Sequence, residues 1–363
     1  MLAIDRNATP TQPALAWMWR STSLRIAALF LLGYVAVAVL IAPDAFAASL
    51  SHYAGTLLNH VPLILLPLLA LAVIPLLRGE SRDGLLEHLR VRVALVSVLI
   101  GALLLAFTAF TTIKFSIPAI VPFHADSWAA DLDAFIHGVD PWVVAHAIWP
   151  ESWSGLMFAA YSHIWFAYWV ATPIFVVLWA PPQLVKRYLW SMLMVFAVCG
   201  SVLALFYSSV GPIFYREIWG DGRFDALTGR LAELDGMRGT LAYAGYLLES
   251  YQSNEAVFGT GISAIPSMHV AVVTLNALLF GTLSRWAGAL AWAFAALILF
   301  GSVYTGWHYA IDGYMSIFAV ATIWFAVRRA HLEGLFMPSV WTAGSQPRSA
   351  SALRRQEGQA TGP

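Results

Sequence analysis

The chain is poor in charged residues and almost devoid of cysteine. Asp, Glu, Lys and Arg make up only 11% of its 363 residues, whereas soluble domains carry about 25%. Hydrophobic residues make up 60%, and the formal net charge is zero. This composition excludes a soluble globular protein, and the neutral balance gives no basis for binding nucleic acid. The single cysteine, Cys199, excludes an intrachain disulfide and a cysteine-based metal site.

Long apolar runs instead predict an all-α polytopic membrane bundle. A helix needs about 20 apolar residues to cross a bilayer. Eight runs are of about this length: 24–42, 56–77, 93–113, 156–179, 188–210, 265–283, 287–306 and 309–327. They divide the chain into an N-terminal cytoplasmic segment (1–23), N-terminal membrane helices (24–113), an outer-face amphipathic loop (114–155), a membrane core (156–330) and a disordered cytoplasmic tail (331–363).

Basic residues predict the orientation of these helices, because cytoplasmic loops are enriched in Lys and Arg. With eight spans, 15 of the 20 basic residues fall on one side, which is predicted to be cytoplasmic and to hold both termini. The opposite face receives the loops 114–155 and 211–260, where acidic residues alternate with aromatic residues. This pattern favours helices that lie along the outer membrane interface.

The first candidate functional segment reads GTGISAIPSMH and covers 259–269. Pro266 suits the first turn of a helix, so the backbone N–H groups of Ser267 and the next residue are predicted to point out of the positive helix end. That position favours a phosphate. Gly261 lets the backbone approach a ligand closely. Gly261 and Ser267 are therefore predicted to bind substrate, with His269 at the rim of the same helix end.

The second candidate segment reads GSVYTGWHYAID and covers 301–312. Because the chain crosses the membrane twice between the two segments, His308 is predicted to reach the same outer face as His269. Asp312 follows four residues after His308 on one helix face, where its carboxylate can hold one imidazole nitrogen. His308 is then suited to attack phosphorus, while His269 protonates the leaving oxygen. These residues make 156–330 the predicted catalytic core.

PSMH (266–269), followed about 40 residues later by HYAID (308–312), resembles the type 2 phosphatidic acid phosphatase superfamily. The resemblance implies a six-helix-type core in the C-terminal part of the chain, with no cofactor and no metal. It also implies His308 as the nucleophile, His269 as the acid and base, and Asp312 as the orienting partner. Tyr309, inside the second motif, joins the predicted substrate-binding residues.

Two departures from the family pattern bear on the substrate. Lipid phosphatases of the family have an arginine where this chain has Ser302, and their Lys-x6-Arg-Pro motif is not found. Arg216 is the expected replacement cation. The loss of cations is similar to the inositol phosphorylceramide synthase and sphingomyelin synthase branch. That branch implies a membrane phospholipid as donor and a lipid alcohol, ceramide or diacylglycerol, as acceptor.

The same residues leave other functions open. A lipid phosphate phosphatase would use water as the acceptor. A proton-coupled transporter would use His269, His308 and Asp312 as a relay, although both motifs fall in one hairpin rather than in inverted repeats. An intramembrane protease would need an HExxH motif or a serine paired with a base, and neither is found. Short loops favour a bacterial inner membrane, with the site facing the periplasm.

Overall fold

The computed structural model describes residues 21–59 and 82–332, in which helices predominate and no β-strand occurs. The prediction of an all-α bundle is confirmed for these ranges. The helices of eight or more residues are α1 (Thr22–Ile41), α2 (43–59), α3 (Arg82–Ile120), α4 (Asp126–His137), α5 (Pro141–Ile148), α6 (Glu151–Trp179), α7 (Pro182–Phe206), α8 (Asp225–Glu233), α9 (Arg238–Ser253), α10 (Met268–Leu283), α11 (Arg285–Tyr304) and α12 (Ala310–Leu332).

Six of the described helices are long and apolar enough to cross a membrane, namely α1, α3, α6, α7, α11 and α12. The chain is therefore an integral multi-pass membrane protein. Helix α10 is similarly apolar but has only 16 residues. The predicted span 56–77 lies almost entirely outside the described residues, as do the predicted segments 1–23 and 331–363. The number of spans and their orientation stay predictions.

Helices α10, α11 and α12 form the part of the bundle that carries both candidate segments. Ser284 ends α10 and caps α11, since its hydroxyl accepts the N–H of Ala287. Helix α11 runs back along α10, and α12 packs on α10 in turn. Glycines allow close approach between the helices, because a Cβ at Gly288 would lie 2.7 Å from the Cα of Gly281. The start of α10, the end of α11 and the start of α12 therefore lie together.

A buried polar chain joins α10 to the helices beside it. The hydroxyl of Tyr188 in α7 donates to the Asn276 side-chain oxygen at 2.8 Å, and the Asn276 amide donates to Thr172 of α6 at 3.2 Å. Side-chain hydrogen bonds of this kind hold membrane helices in register, since lipid offers polar groups no alternative partner. They hold α10 against α6 and α7.

The segments 121–155 and 207–267 form a cap over this end of the bundle, with their own apolar core. Helix α4 of the cap is amphipathic in an unusual sense. Its apolar Phe135 is 85% exposed, whereas its acidic residues Asp126 and Asp133 are buried. The Asp126 carboxylate accepts the N–H groups of Val210 and Gly211 at 2.9–3.0 Å. Asp126 therefore joins helix α4 to the segment 207–267 of the same cap.

Asp133 caps the N-terminus of α12 from a distance of 177 residues along the chain. Its carboxylate accepts the backbone N–H of Ala310 at 2.6 Å and that of Ile311 at 3.0 Å. The first N–H groups of a helix have no partner inside the helix, and a carboxylate is a favourable partner for them. Burial raises the pKa of Asp133, while the two N–H donors act in the opposite direction. The first turn of α12 contains Asp312, so this cap also positions the candidate site.

We expect Asp133→Ala to lower the thermal unfolding temperature of the purified protein in detergent by several degrees. The change leaves two buried N–H groups without an acceptor, which costs about 1–3 kcal/mol. Asp131→Ala is the matched control, because Asp131 lies on the same helix but is 74% exposed and pairs with Arg223 at the surface. Equal unfolding temperatures for the two variants would contradict this role for Asp133.

Candidate active site

His308 lies in the short turn between α11 and α12 and is 7% exposed. Its Nδ1 donates to the carbonyl oxygen of Ala264 at 2.9 Å and lies 3.3 Å from the Oδ2 atom of Asp312. Both neighbours are acceptors, so Nδ1 carries the proton and Nε2 keeps a free lone pair. The turn therefore presents the tautomer that a nucleophilic histidine needs.

The protonation state of His308 follows from its surroundings. Burial, and secondly the positive charge of Lys114, lowers the pKa of His308 from 6.5 to about 3. The hydrogen bond to the Ala264 carbonyl acts in the opposite direction. His308 is consequently a neutral imidazole at every pH above about 4, one unit above that pKa.

Asp312 ties the two candidate segments to each other. Its Oδ2 accepts the N–H of Tyr309 at 3.1 Å as well as the proton of His308. Its backbone carbonyl accepts the N–H of Ser267 at 3.4 Å and the hydroxyl of Ser316 at 2.7 Å. Its other carboxylate oxygen, Oδ1, is buried and has no partner among the described residues.

Helix α10 begins at Met268 rather than at Pro266, because the residues before it form a non-helical connection. Ser267 is the N-cap, and its hydroxyl accepts the N–H of Val270 at 3.4 Å. The prediction that Ser267 offers a free N–H is wrong, since that group donates to Asp312. Within the described part of the chain, the N–H groups of Met268 and His269 have no acceptor. They are the open, positive end of the helix.

His269 stands opposite His308 at this helix end. The centres of the two imidazole rings are 6.1 Å apart, with their planes inclined at 61°. His269 is partly exposed, whereas His308 is buried. One histidine is therefore open to a substrate and to proton exchange, and the other is shielded from water.

Lys114, near the end of α3, is a cation of the site that sequence analysis did not assign. Its charge acts on the imidazoles of both His269 and His308. Gly261 explains how the loop before α10 reaches it, because a Cβ there would lie 2.9 Å from the Lys114 carbonyl carbon and 2.8 Å from the Phe115 nitrogen. The φ angle of Gly261 is +99°, which favours glycine. Gly261 is thus the contact between this loop and α3.

The signal for Lys114 is present in the sequence. Lys114 is followed, after six residues, by Val121 and Pro122, which is the Lys-x6-Arg-Pro pattern with valine in place of arginine. The sequence also predicts that the outer loop begins at Lys114. In the structure, however, α3 continues to Ile120, so Lys114 lies within a helix. Lys114 therefore occupies the lysine position of that pattern, and valine occupies the arginine position.

Three other residues singled out by the sequence have their side chains engaged within the protein. Arg216 is 58% exposed and pairs with Asp225 on the cap surface. Tyr309 is 2% exposed, and its hydroxyl donates to Asp126 at 2.9 Å. The Ser302 hydroxyl donates to the Leu299 carbonyl at 2.7 Å within α11. No group of three or more potential metal ligands occurs among residues 21–59 and 82–332.

The fold is an all-α membrane bundle, and its candidate site places two histidines beside an open helix N-terminus and a lysine. These are groups that can bind a phosphate and exchange protons with it. The chain belongs to the PAP2 superfamily, whose family model matches residues 127–327, more than half of its length. This superfamily comprises phosphatases and phosphotransferases that act on lipid phosphates. The protein is therefore an enzyme of this type, which removes the basis for the transporter and protease alternatives.

The matched range includes His269, His308 and Asp312, whereas Lys114 precedes it. Comparison with curated proteins and with solved structures gives no match.

We expect Lys114→Gln to lower kcat/KM by about 100-fold or more, because removing one electrostatic contact to a reacting oxygen has an effect of this size. Arg216→Gln is the comparison, since Arg216 pairs with Asp225 and should change kcat/KM little. Both variants are assayed in detergent, after their unfolding temperatures are shown to match that of the wild type. A larger loss of kcat/KM in Arg216→Gln than in Lys114→Gln would indicate that Arg216, and not Lys114, contacts the phosphate.

Proposed function

We propose that this enzyme is a phosphotransferase that moves a phospho-headgroup from a membrane phospholipid to a lipid alcohol through a phosphohistidine on His308. Ceramide and diacylglycerol are the acceptor classes. The observation that carries this proposal is the small number of cations in the site. The family pattern has one lysine and two arginines, whereas this chain has Lys114 and no arginine at the other two positions, Val121 and Ser302. A phosphodiester carries one negative charge and a phosphomonoester up to two, so a single lysine matches the phosphodiester.

In the first step, Nε2 of His308 attacks the phosphorus of the donor, and the bond between phosphorus and the glycerol oxygen breaks. The protonated imidazole of His269 gives its proton to that oxygen, and the donor leaves as a neutral alcohol. The phosphohistidine that forms carries the headgroup. Asp312 stabilises the positive charge that develops on His308, because its carboxylate lies 3.3 Å from Nδ1.

In the second step, the neutral imidazole of His269 takes the proton from the acceptor hydroxyl. The acceptor oxygen attacks phosphorus, the bond between phosphorus and Nε2 breaks, and its electron pair returns to His308. Lys114 and the N–H groups of Met268 and His269 are the proposed contacts of the non-bridging oxygens. Ser267 and Gly261 hold the backbone that carries these donors.

Hydrolysis is the second candidate, because His269 is partly exposed and water can reach it. The first step would be the same, and water would replace the lipid alcohol in the second. The distribution of Lys and Arg supports a site on the outer face, and we propose a bacterial inner membrane with the site facing the periplasm.

The proposal is tested with purified protein and a phospholipid that carries a labelled headgroup, with and without ceramide or a diacylglycerol whose acyl chains differ from those of the donor. We expect the label to appear in a new lipid only when the acceptor is present. Label released into water at the same rate with and without acceptor would overturn transfer and establish hydrolysis.

We expect His308→Ala to abolish turnover and to leave the protein folded, because Nε2 of His308 is the proposed nucleophile and alanine has no group that can replace it. An acid-labile, base-stable label on the wild-type protein, absent from His308→Ala, identifies the intermediate. His124→Ala is the control, since His124 is exposed and hydrogen-bonded to the carbonyl of Pro122. Turnover at the wild-type rate in His308→Ala would exclude His308 as the nucleophile.

A further inference from the structure

Two aromatic side chains of α6 enclose the imidazole of His269. The Tyr161 ring is stacked on it, with 4.4 Å between ring centres and 13° between planes. The Trp165 ring lies 4.1 Å from it, at 35°. Tyr161 belongs to a π-helical segment, Ala159–Ile164, that ends where Trp165 begins the following α-helical part. Such segments are rare and occur frequently at functional sites.

The position of each ring is determined by a separate contact. The indole N–H of Trp165 donates to the backbone carbonyl of His269 at 3.0 Å, which orients the indole against the start of α10. Tyr161 packs against Gly301 of α11, where a Cβ would lie 3.2 Å from its Cδ2 atom. The Tyr161 hydroxyl is buried and has no hydrogen-bond partner among the described residues. The contact of Tyr161 with His269 is therefore made by its aromatic ring.

The surroundings of His269 otherwise act against its protonation. Burial is the largest effect, and the positive charge of Lys114 on α3 acts in the same direction. Asp312 of α12 is engaged with His308. Helix α6 beyond Trp165 has no charged residue, and α11 has only Arg285, at its opposite end. His163 is exposed and packs on Phe158.

Aromatic faces carry partial negative charge and attract a cation that lies over them. A protonated imidazole between two rings gains more from them than a neutral imidazole does. The acid role of His269 requires the protonated form, which Lys114 disfavours. The two rings supply a compensating attraction without adding a carboxylate, which would repel the substrate phosphate.

We infer that Tyr161 and Trp165 form an aromatic clamp that orients the imidazole of His269 toward the site of reaction and stabilises its protonated form. Both are positioning residues, because they act through His269. The inference rests on the proposed acid role of His269 and adds two residues to the proposed mechanism.

The test is the pH dependence of kcat/KM for the donor phospholipid, measured for Trp165→Leu and Tyr161→Leu. Activity falls as the pH rises through the pKa of His269, because the proton donor is lost. Removing an aromatic face lowers that pKa, so we expect the alkaline decline to begin about one pH unit lower. Near the acid end of the profile, the rates should approach that of the wild type.

Two variants serve as matched controls. Tyr161→Phe keeps the ring and loses only the unpaired hydroxyl, so its profile should coincide with that of the wild type. Tyr168→Leu removes an aromatic ring from the same helix that packs on Phe280 and Phe294 instead of His269. The kcat/KM of this variant should decline at the same alkaline pH as that of the wild type.

A rate that falls by the same factor at every pH in the Leu variants would overturn the clamp, since that result indicates a structural role only. A profile identical to that of the wild type would overturn it as well. NMR titration of the His269 ring in protein with labelled histidines, assigned with His269→Gln, is independent of turnover. A lower pKa in the Leu variants supports the clamp, and an unchanged pKa rejects it, even if the wild type transfers no headgroup and the proposed function fails. Trp165→Phe provides the conservative variant if Trp165→Leu does not fold.

Discussion

The site depends on the hydrogen bonds of one nitrogen, Nδ1 of His308. Its two acceptors, the Ala264 carbonyl and the Asp312 carboxylate, come from different segments of the chain, so the proton position requires both to be in place. The N–H of Ser267 joins the same segments through the Asp312 carbonyl. Because lipid and buried protein offer few alternative partners, each bond restricts the others. The tautomer of His308 is therefore a property of the assembled turn and not of this residue alone.

The cap extends this constraint beyond the membrane helices. A turn between two spans has backbone N–H groups that no helix satisfies, and the site needs such a turn at His308. Asp133 accepts the first two N–H groups of α12, and Asp126 accepts two N–H groups of the adjoining segment 207–267. Burial raises the pKa of both carboxyls, and the N–H donors offset the cost of burying them. Helix α4 of the cap thus also holds the start of α12, and with it the turn that carries His308, in place.

Some of this architecture follows from local sequence patterns, and some does not. The helical bundle and the meeting of His269 with His308 follow from apolar runs and a hairpin between the two motifs. The place of Lys114 in the site does not follow from the local sequence, because it depends on a contact with Gly261, which is distant along the chain. Its motif is also incomplete, since valine stands in place of the arginine. Tyr161 and Trp165 have no signal at all, since aromatic residues are common in membrane helices. Because the two residues are four apart, they lie on one face of α6 against His269, in and directly after a π-helical segment that sequence periodicity does not predict.

The charges that the proposed mechanism assigns to the site match those of a phosphodiester substrate. In the first step of that mechanism, Lys114 and a protonated His269 contribute two positive charges, the Asp312 carboxylate contributes one negative charge, and His308 is neutral, which leaves one positive charge. A phosphodiester cancels it, whereas a doubly charged phosphomonoester leaves a net negative charge in a site of low dielectric constant, where such an imbalance is costly. The arginines of the family pattern would restore the balance, but Val121 and Ser302 occupy their positions, and Ser302 is fully buried within α11. The same count explains why aromatic rings suit His269 better than a carboxylate, since another negative charge would make the empty site neutral and weaken its attraction for the substrate.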